Sequence, residues 1–438
     1  MNTANTAPAP TTATTHTAHL EQVLQQAREA QETVANAPHR QRNDALRAIA
    51  QAILESRHDI LEANEKDMQL AEQSQLAAPL LDRLRLTDKR ISSMADGIIE
   101  IADQPDLVGK TTPFQQQASG IGVATMRVPI GIIAIIYESR PNVTADAAAL
   151  CLKAGNVCIL HGGKEATHSN QIITDTIKAG LKQSGLPVAA VQQLMDRSGN
   201  ASRSRHETVA DLLGAEGRVD LAIPRGGNQL ARVVTECARV PVLKHLDGIC
   251  HMYVHKQANL DMATELCVNA KCHRCSVCCA TETILIDHDI APDMMMRLGK
   301  AFAEEGVEIR GCAEARLLQP QIQPASEEDW RAEYLAPIVS IRIVKDLQQA
   351  IDHISHYGSQ HTDSIVTQDQ TAADTFIRRV DSSSVMHNAP TVFADGKEYG
   401  LGAEIGISTD KLHARGPIGV AGLTCEKFVI AGNGKTRH

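Results

Sequence analysis

The sequence predicts an α/β protein whose parallel strands are covered by helices on both faces. Three observations lead there. "VPIGIIAIIYESRP" is apolar from Val128 to Ile136 apart from Pro129 and Gly131, as a strand buried on both faces should be. An alternation follows. Helix-patterned "VTADAAALCLKAG" leads to strand-like "NVCILHGG", helix-patterned "KEATHSNQIITDTIKAGLKQSG" and strand-like "AVQQLM", then to helix "SRHETVADLLGAEG", strand "VDLAIPRGG" and helix "NQLARVVTECARV". After "LKHLDGICHMYV" the alternation restarts, with "NLDMATELCVNAK", "ETILID" and "APDMMMRLGKAFAEEG". Alternation of this kind implies a parallel sheet, and the restart implies a second α/β unit. A chain of 438 residues suits two or three domains.

The flanks differ in character. From about His19 to Ala102, apolar residues three and four apart mark amphipathic helices that cover something else. The start, "MNTANTAPAPTTATTHTAH", has neither the basic and apolar regions of a signal peptide nor the arginines of a transit peptide. Its composition predicts a disordered tail over residues 1–17. The last part, from "SSSVMHNAPTVF" to "GLTCEKFVIAGNGKTRH", has strand-like runs without a long helix, and such edges often pair with another subunit.

Composition narrows the function classes. A net charge of -9 and 3% aromatic residues argue against nucleic acid, which wants basic surface and stacking platforms. No apolar run reaches the roughly 18 residues of a membrane span. Eleven cysteines without a secretory signal predict reduced thiols in the cytoplasm.

Several motifs tempt and fail. "AGNGKT" ends like a phosphate-binding loop, but Val429 stands where its first Gly is needed and only two residues follow Thr436. "GLGAEIG" (400–406) misses the dinucleotide fingerprint by one residue in its last gap. "NAKCHRCSVCCATET" puts Cys272, Cys275, Cys278 and Cys279 into eight positions. Iron–sulfur runs need three residues before the fourth Cys, and structural zinc joins two separated pairs; neither pattern is present. That leaves a reactive thiol beside Lys271 and Arg274, or four small buried residues. Chemistry alone does not choose Cys278 over its neighbours. His353 and His356 share a predicted helix face, and with His361 and Asp363 they form a further metal pattern; a role in structure or substrate contact is preferred, and no metal is expected.

Taken together, these segments resemble the γ-glutamyl phosphate reductase family. The cysteine run is similar to its nucleophile loop N-A-K-T-Q-R-P-G-V-C-N-A, agreeing at Asn269, Ala270, Lys271, Arg274, Val277, Cys278 and Ala280. Cys272, His273, Cys275, Ser276 and Cys279 are departures. "VKDLQQAIDHISHYGSQHTDSI" fits the family signature at every defined position, and "PVLKHLDGICHMYV" and "GLGAEIGISTDKLHARGPIG" look like the same family. The resemblance covers nearly the whole chain after the tail. It implies an aldehyde dehydrogenase-like α/β fold with a Rossmann-type cofactor domain, an α/β catalytic domain and a small β oligomerisation element. The expected division is tail 1–17, cofactor domain 18–254 (with 117–130 running towards the oligomerisation element), catalytic domain 255–365, and a return through 366–438.

The resemblance also implies chemistry. The family reduces L-glutamyl 5-phosphate with NADPH, the second step of proline synthesis. Cys278 would be the nucleophile, which splits one hard step into two easier ones. Asn142 and the Cys278 backbone N–H would hold the oxyanion, such donors contributing about 3 kcal/mol each. Lys271 or Arg274 would meet the leaving phosphate, and His361 the substrate. Gly162, Gly163, Gly226 and Gly227 would let backbone approach the cofactor phosphates, with Lys164 and Arg225 as nearby cations. The upstream glutamate 5-kinase is a possible partner, and a homo-oligomer is expected. Two other readings stand beside this one: an aldehyde-oxidising dehydrogenase of the same superfamily, and a thiol- or metal-binding sensor on an inactive scaffold. Oxidation needs a base to hydrolyse the thioester, and "LKHLDGIC" contains no Glu.

Overall fold

The computed structural model describes residues 12–194, 205–244 and 247–437. The chain divides into two compact units: Met1–Leu243 with Gly402–Gly406 and Ile418–His438, and Lys244–Leu401 with Ile407–Pro417.

The first unit opens with five helices: α1 (Thr12–Asn36), α2 (His39–Glu55), α3 (Arg57–Gln73), α4 (Ala78–Leu84) and α5 (Asp88–Asp103). Their buried residues keep helical spacing, as in Ala45, Leu46, Ile49, Ala50 and Ile53 of α2 and Ile91, Met94, Ala95, Ile98, Ile101 and Ala102 of α5. Of the expected tail 1–17, residues 1–11 lie outside those described. From Thr12 the chain is already helical, which corrects the tail's expected end. A helix once nucleated extends at little cost, and Leu20, Val23, Leu24, Ala27 and Val34 anchor this one.

Next come β1 (Gln115–Gln116), β2 (Gly122–Pro129), β3 (Ile132–Tyr137), α6 (Asn142–Lys153), β4 (Val157–His161), α7 (Thr167–Gln183), β5 (Val191–Gln193), α8 (Arg205–Leu213), β6 (Leu221–Arg225) and α9 (Asn228–Cys237). The last residue of "AVQQLM" lies outside the described residues. Strands pair in parallel in the order β5-β4-β3-β6, and every residue of β3 is buried. The strand order reverses at β3, so the crevice beyond its carboxyl end is where such sheets bind ligands. The far end of α6 is anchored by Lys153, whose Nζ donates to Asn43 Oδ1 and to the carbonyls of Ala102 and Gln104.

The second unit holds β7 (Cys250–Val254), α10 (Leu260–Cys272), β8 (Thr281–Asp287), α11 (Ala291–Glu304), β9 (Glu308–Gly311), α12 (Ala313–Leu318), β10 (Gln323–Pro324), β11 (Ile338–Val344), α13 (Leu347–Tyr357), β12 (Thr362–Val366), α14 (Gln370–Arg379), β13 (Ser384–His387), β14 (Ile407–Ser408) and β15 (Gly416–Pro417). Seven of these strands form one parallel sheet, β10-β9-β11-β8-β7-β12-β13. This moves the expected boundaries. β7 was assigned to the cofactor domain but pairs with β8 and β12, and residues 366–401 stay with the second unit because β13 extends its sheet.

The chain closes with β16 (Thr424–Ala431), antiparallel to β2 from Thr424↔Pro129 to Ala431↔Gly122. Among the described residues no helix is long and apolar enough to cross a membrane.

Candidate active site

The cysteine loop runs between α10 and β8, and a buried ion pair holds its two stems together. Lys271 ends α10, Glu282 is the second residue of β8, and Lys271 Nζ lies 2.5 Å from Glu282 Oε2 with neither side chain exposed. Burial pushes the Glu282 carboxyl up to about 7, against the pull of Lys271. Lys271 is therefore not the expected phosphate contact: it has no access to solvent and its charge is committed to Glu282. Arg274, by contrast, is exposed.

Within the loop, Ala280 N donates to the Val277 carbonyl at 3.1 Å, closing a turn with Cys278 and Cys279 at its centre. Cys278 is half-buried; Cys279 is buried against Val277, Met386, Ala389 and Ala394. Cys272 packs on the core of the second unit, and burial with Glu305 nearby pushes its thiol up to about 11. It is thus protonated at neutral pH and a poor attacking group. The Cys278 backbone lies directly against Gly248, where a Cβ would overlap its carbonyl. Gly248 N donates to Glu333 Oε1 (3.0 Å) and Ile249 N to Ser359 Oγ (2.9 Å), fixing the segment that leads into β7. His245 and Leu246, in the "LKHLDGIC" stretch, lie outside the described residues.

His361 is fully buried, which corrects its expected role against substrate. Its Nδ1 faces Thr362 Oγ1 (2.9 Å) and Cys250 Sγ (3.6 Å). The other histidines of the signature are also committed. His353 Nδ1 accepts from Arg342 (2.9 Å), its ring packs on His251, Trp330 and Tyr357, and burial lowers its pKa to about 2. His356 Nε2 accepts from Arg331 (3.0 Å), while Asp363 holds the backbone N–H and Nδ1 of His251 and accepts from Ser382. Among the described residues no three His, Cys, Asp or Glu converge as a metal would need.

In the first unit, the carboxyl ends of β3, β4 and β6 bring charged groups together. Glu138 follows β3 and accepts from Gly227 N (3.0 Å) and Arg205 Nη1 (3.3 Å), while Arg205 Nη2 donates to the Tyr137 carbonyl (2.7 Å). Ser139, at φ 43°, gives its N–H and hydroxyl to Glu165 Oε1 at 2.6 and 2.7 Å. The expected glycines behave differently from one another. A Cβ on Gly162 would overlap Asn170, one on Gly163 the flexible Glu165, and one on Gly226 would sit 2.6 Å from Glu138 Oε2. Protein side chains already crowd these three. Gly227 alone of the four has open space at its Cα. Lys164 is exposed, and the Arg225 side chain passes over Gly406. His161 is buried, with Nδ1 3.0 Å from the Leu194 carbonyl, to which it donates. Asn142 opens α6 and its Nδ2 donates to Asp146 Oδ2 (2.9 Å). Burial pushes Asp146 up to about 6, opposed by that bond and by the charge of Arg225.

The sequence reasoning missed Glu138, Glu165, Arg205, Gly248 and Cys250. An acid directly after a fully buried strand, as in "IIAIIYE", was a usable signal for Glu138. Nothing local marks the others.

Residues 1–329 match the family model of the aldehyde dehydrogenase family, and the chain belongs to that family. Within it, the chain is similar to γ-glutamyl phosphate reductase from Thermotoga maritima, at 38% identity and a TM-score of 0.92, covering 96% of this chain and 100% of that one. It is also similar to the Saccharomyces cerevisiae γ-glutamyl phosphate reductase, at 30% identity, TM-score 0.52 and coverage of 95% and 98%. A glyceraldehyde-3-phosphate dehydrogenase from Methanocaldococcus jannaschii complexed with NADP shares the fold at 16% identity and TM-score 0.66, with 94% of each chain covered.

The ion pair generates a stability test. Lys271→Met leaves Glu282 buried and alone, and should cost about 3–5 kcal/mol; Lys271→Met with Glu282→Leu should recover most of the loss. Arg274→Ala should stay within about 0.5 kcal/mol. Urea unfolding midpoints of the three variants check this, and a Lys271→Met midpoint equal to wild type would remove the structural role.

Proposed function

We propose that this chain reduces L-glutamyl 5-phosphate to L-glutamate 5-semialdehyde and phosphate, using NADPH. The observation that carries the reading is the half-buried Cys278, held on a defined turn in a chain 38% identical over 96% of its length to the Thermotoga maritima reductase. In this reading the Cys278 thiolate attacks the acyl carbonyl, the oxyanion that forms takes a hydrogen bond from the Cys278 N–H, and phosphate leaves to give a thioester. The family resemblance gives Asn142 the role of a second oxyanion donor; within the first unit one of its amide hydrogens goes to Asp146. Exposed Arg274 meets the leaving phosphate; Lys271 does not.

The residues at the carboxyl ends of β3, β4 and β6 fit a phosphorylated dinucleotide. Gly227 leaves room for close backbone approach, Lys164 and Arg225 supply positive charge, and Glu138 and Glu165 offer acceptors for hydroxyl groups. NADPH, when bound, supplies the hydride that converts the thioester to the aldehyde. Cytoplasmic location and supply of the acyl phosphate by a glutamate 5-kinase belong to the same reading. So does self-association: β16 is an edge strand with Phe428 75% and Ile430 53% exposed, and a second copy of the chain is its proposed partner.

The decisive assay runs the reaction backward. Glutamate 5-semialdehyde should reduce NADP+ only when inorganic phosphate is present, and Cys278→Ser should lower that rate at least about a thousandfold with the fold intact. Reduction without phosphate would favour the aldehyde-oxidising reading. No reduction, together with bound metal by elemental analysis, would favour the sensor.

Gly227→Val should raise the KM for NADPH about tenfold or more and leave the KM for the acyl substrate within about twofold. An unchanged NADPH constant would move the cofactor elsewhere. For self-association, Phe428→Glu with Ile430→Lys should lower the molar mass read by light scattering, and an unchanged mass would reject β16 as the contact.

A further inference from the structure

The turn that carries Cys278 has one feature its own sequence does not explain. In a four-residue turn the central peptide can face either way, and the two orientations distinguish type I from type II. Here the central peptide is that between Cys278 and Cys279, and Cys279 has no positive φ, which excludes type II. The Cys278 carbonyl is pressed against Gly248, so water does not serve it from that side. A carbonyl held this way needs a donor. The neighbouring N–H groups of Gly248 and Ile249 go to Glu333 and Ser359. A donor is the buried thiol of Cys250, at the start of β7, whose Sγ lies 3.2 Å from the Cys278 oxygen.

We propose that Cys250 is a positioning residue for the nucleophile: its S–H holds the Cys278–Cys279 peptide in one orientation, and His361 holds the thiol. The assignment of hydrogens follows from the partners. A carbonyl only accepts, so the single thiol hydrogen goes to Cys278. With sulfur as acceptor in the 3.6 Å contact to His361 Nδ1, the Nδ1–H is shared between Cys250 Sγ and the nearer Thr362 Oγ1 at 2.9 Å. Burial, with Asp363 nearby, raises the Cys250 thiol well above its ordinary range and keeps it a donor. Without that donor the buried carbonyl would be left unsatisfied and the turn loosened, and with it the placement of the Cys278 side chain, which the reaction needs at a fixed angle to its carbonyl target. This gives a fully buried histidine and a fully buried cysteine a common role beside the turn.

The inference rests on Cys278 being the nucleophile of the proposed reductase, and its test uses one readout that needs neither substrate nor cofactor. Carboxamidomethylation of Cys278 by iodoacetamide is followed by peptide mass spectrometry in wild type, Cys250→Ala and Cys250→Ser. Cys250→Ala should react roughly tenfold more slowly and lose roughly tenfold in kcat, with the KM for acyl substrate within about twofold. Cys250→Ser, whose hydroxyl also donates, should recover most of both losses. Should Cys250→Ala not fold, Cys250→Val fills the thiol's volume without a donor and takes its place. Wild-type alkylation and kcat in the donorless variant would overturn the proposal, as would a serine variant slower than alanine, the pattern of pure packing. If wild-type protein shows no phosphate-dependent reduction, the reductase reading falls while the alkylation comparison still decides on Cys250.

Discussion

Burying a lysine against a glutamate at the base of the cysteine loop is the constraint on which the loop depends. Lys271 and Glu282 are eleven residues apart, neither is exposed, and the loop between them has to close over their contact. Desolvating two charges costs several kcal/mol per ion, offset only when the geometry is close and the remaining atoms are satisfied. Leu335 N serves Glu282 Oε1 at 3.3 Å, and the Tyr334 ring lies 5.8 Å from Lys271 Nζ. Either charge alone would be intolerable there, so the pair acts as a staple that leaves the loop few ways to close.

With its stems held, the loop sorts its four cysteines by environment. Cys279 points into an apolar cluster, Cys272 lies on the core with its thiol pushed up, and Cys278 sits half-buried on the turn. A thiol becomes a nucleophile through its surroundings more than through its identity. The other unit uses a different device. Its fully buried strands leave no room for polar groups along their length, so Glu138, Ser139, Glu165 and Arg205 gather at the carboxyl ends and bond to one another. Two carboxylates there hold backbone and hydroxyl donors of the protein itself.

Much of the fold was legible because it is written locally. The apolar run at β3, the alternation through α9 and the helical spacing of α2 and α5 each depend on residues a few positions apart. The domain boundaries were less legible. β7 reads like any buried strand, and only its pairing with β8 and β12 assigns it to the second unit. The glycines illustrate the same limit: "HGG" and "RGG" look alike, yet Gly226 is crowded by Glu138 while Gly227 is open.

What the sequence determined by itself was the α/β class, the order of most elements and, through the resemblance of "NAKCHRCSVCCATET", Cys278 as the nucleophile to test. These follow from periodicity and from a motif carried by consecutive residues. The tertiary structure alone decided that Lys271 is a buried counter-ion, that His361 stands behind Cys250, and that the Cys278 carbonyl rests on Gly248 and the Cys250 thiol. Each of those outcomes pairs residues between 11 and 111 positions apart. Long-range partners of this kind are selected by how strands and loops pack in space, and no local pattern encodes which buried group a given side chain will meet.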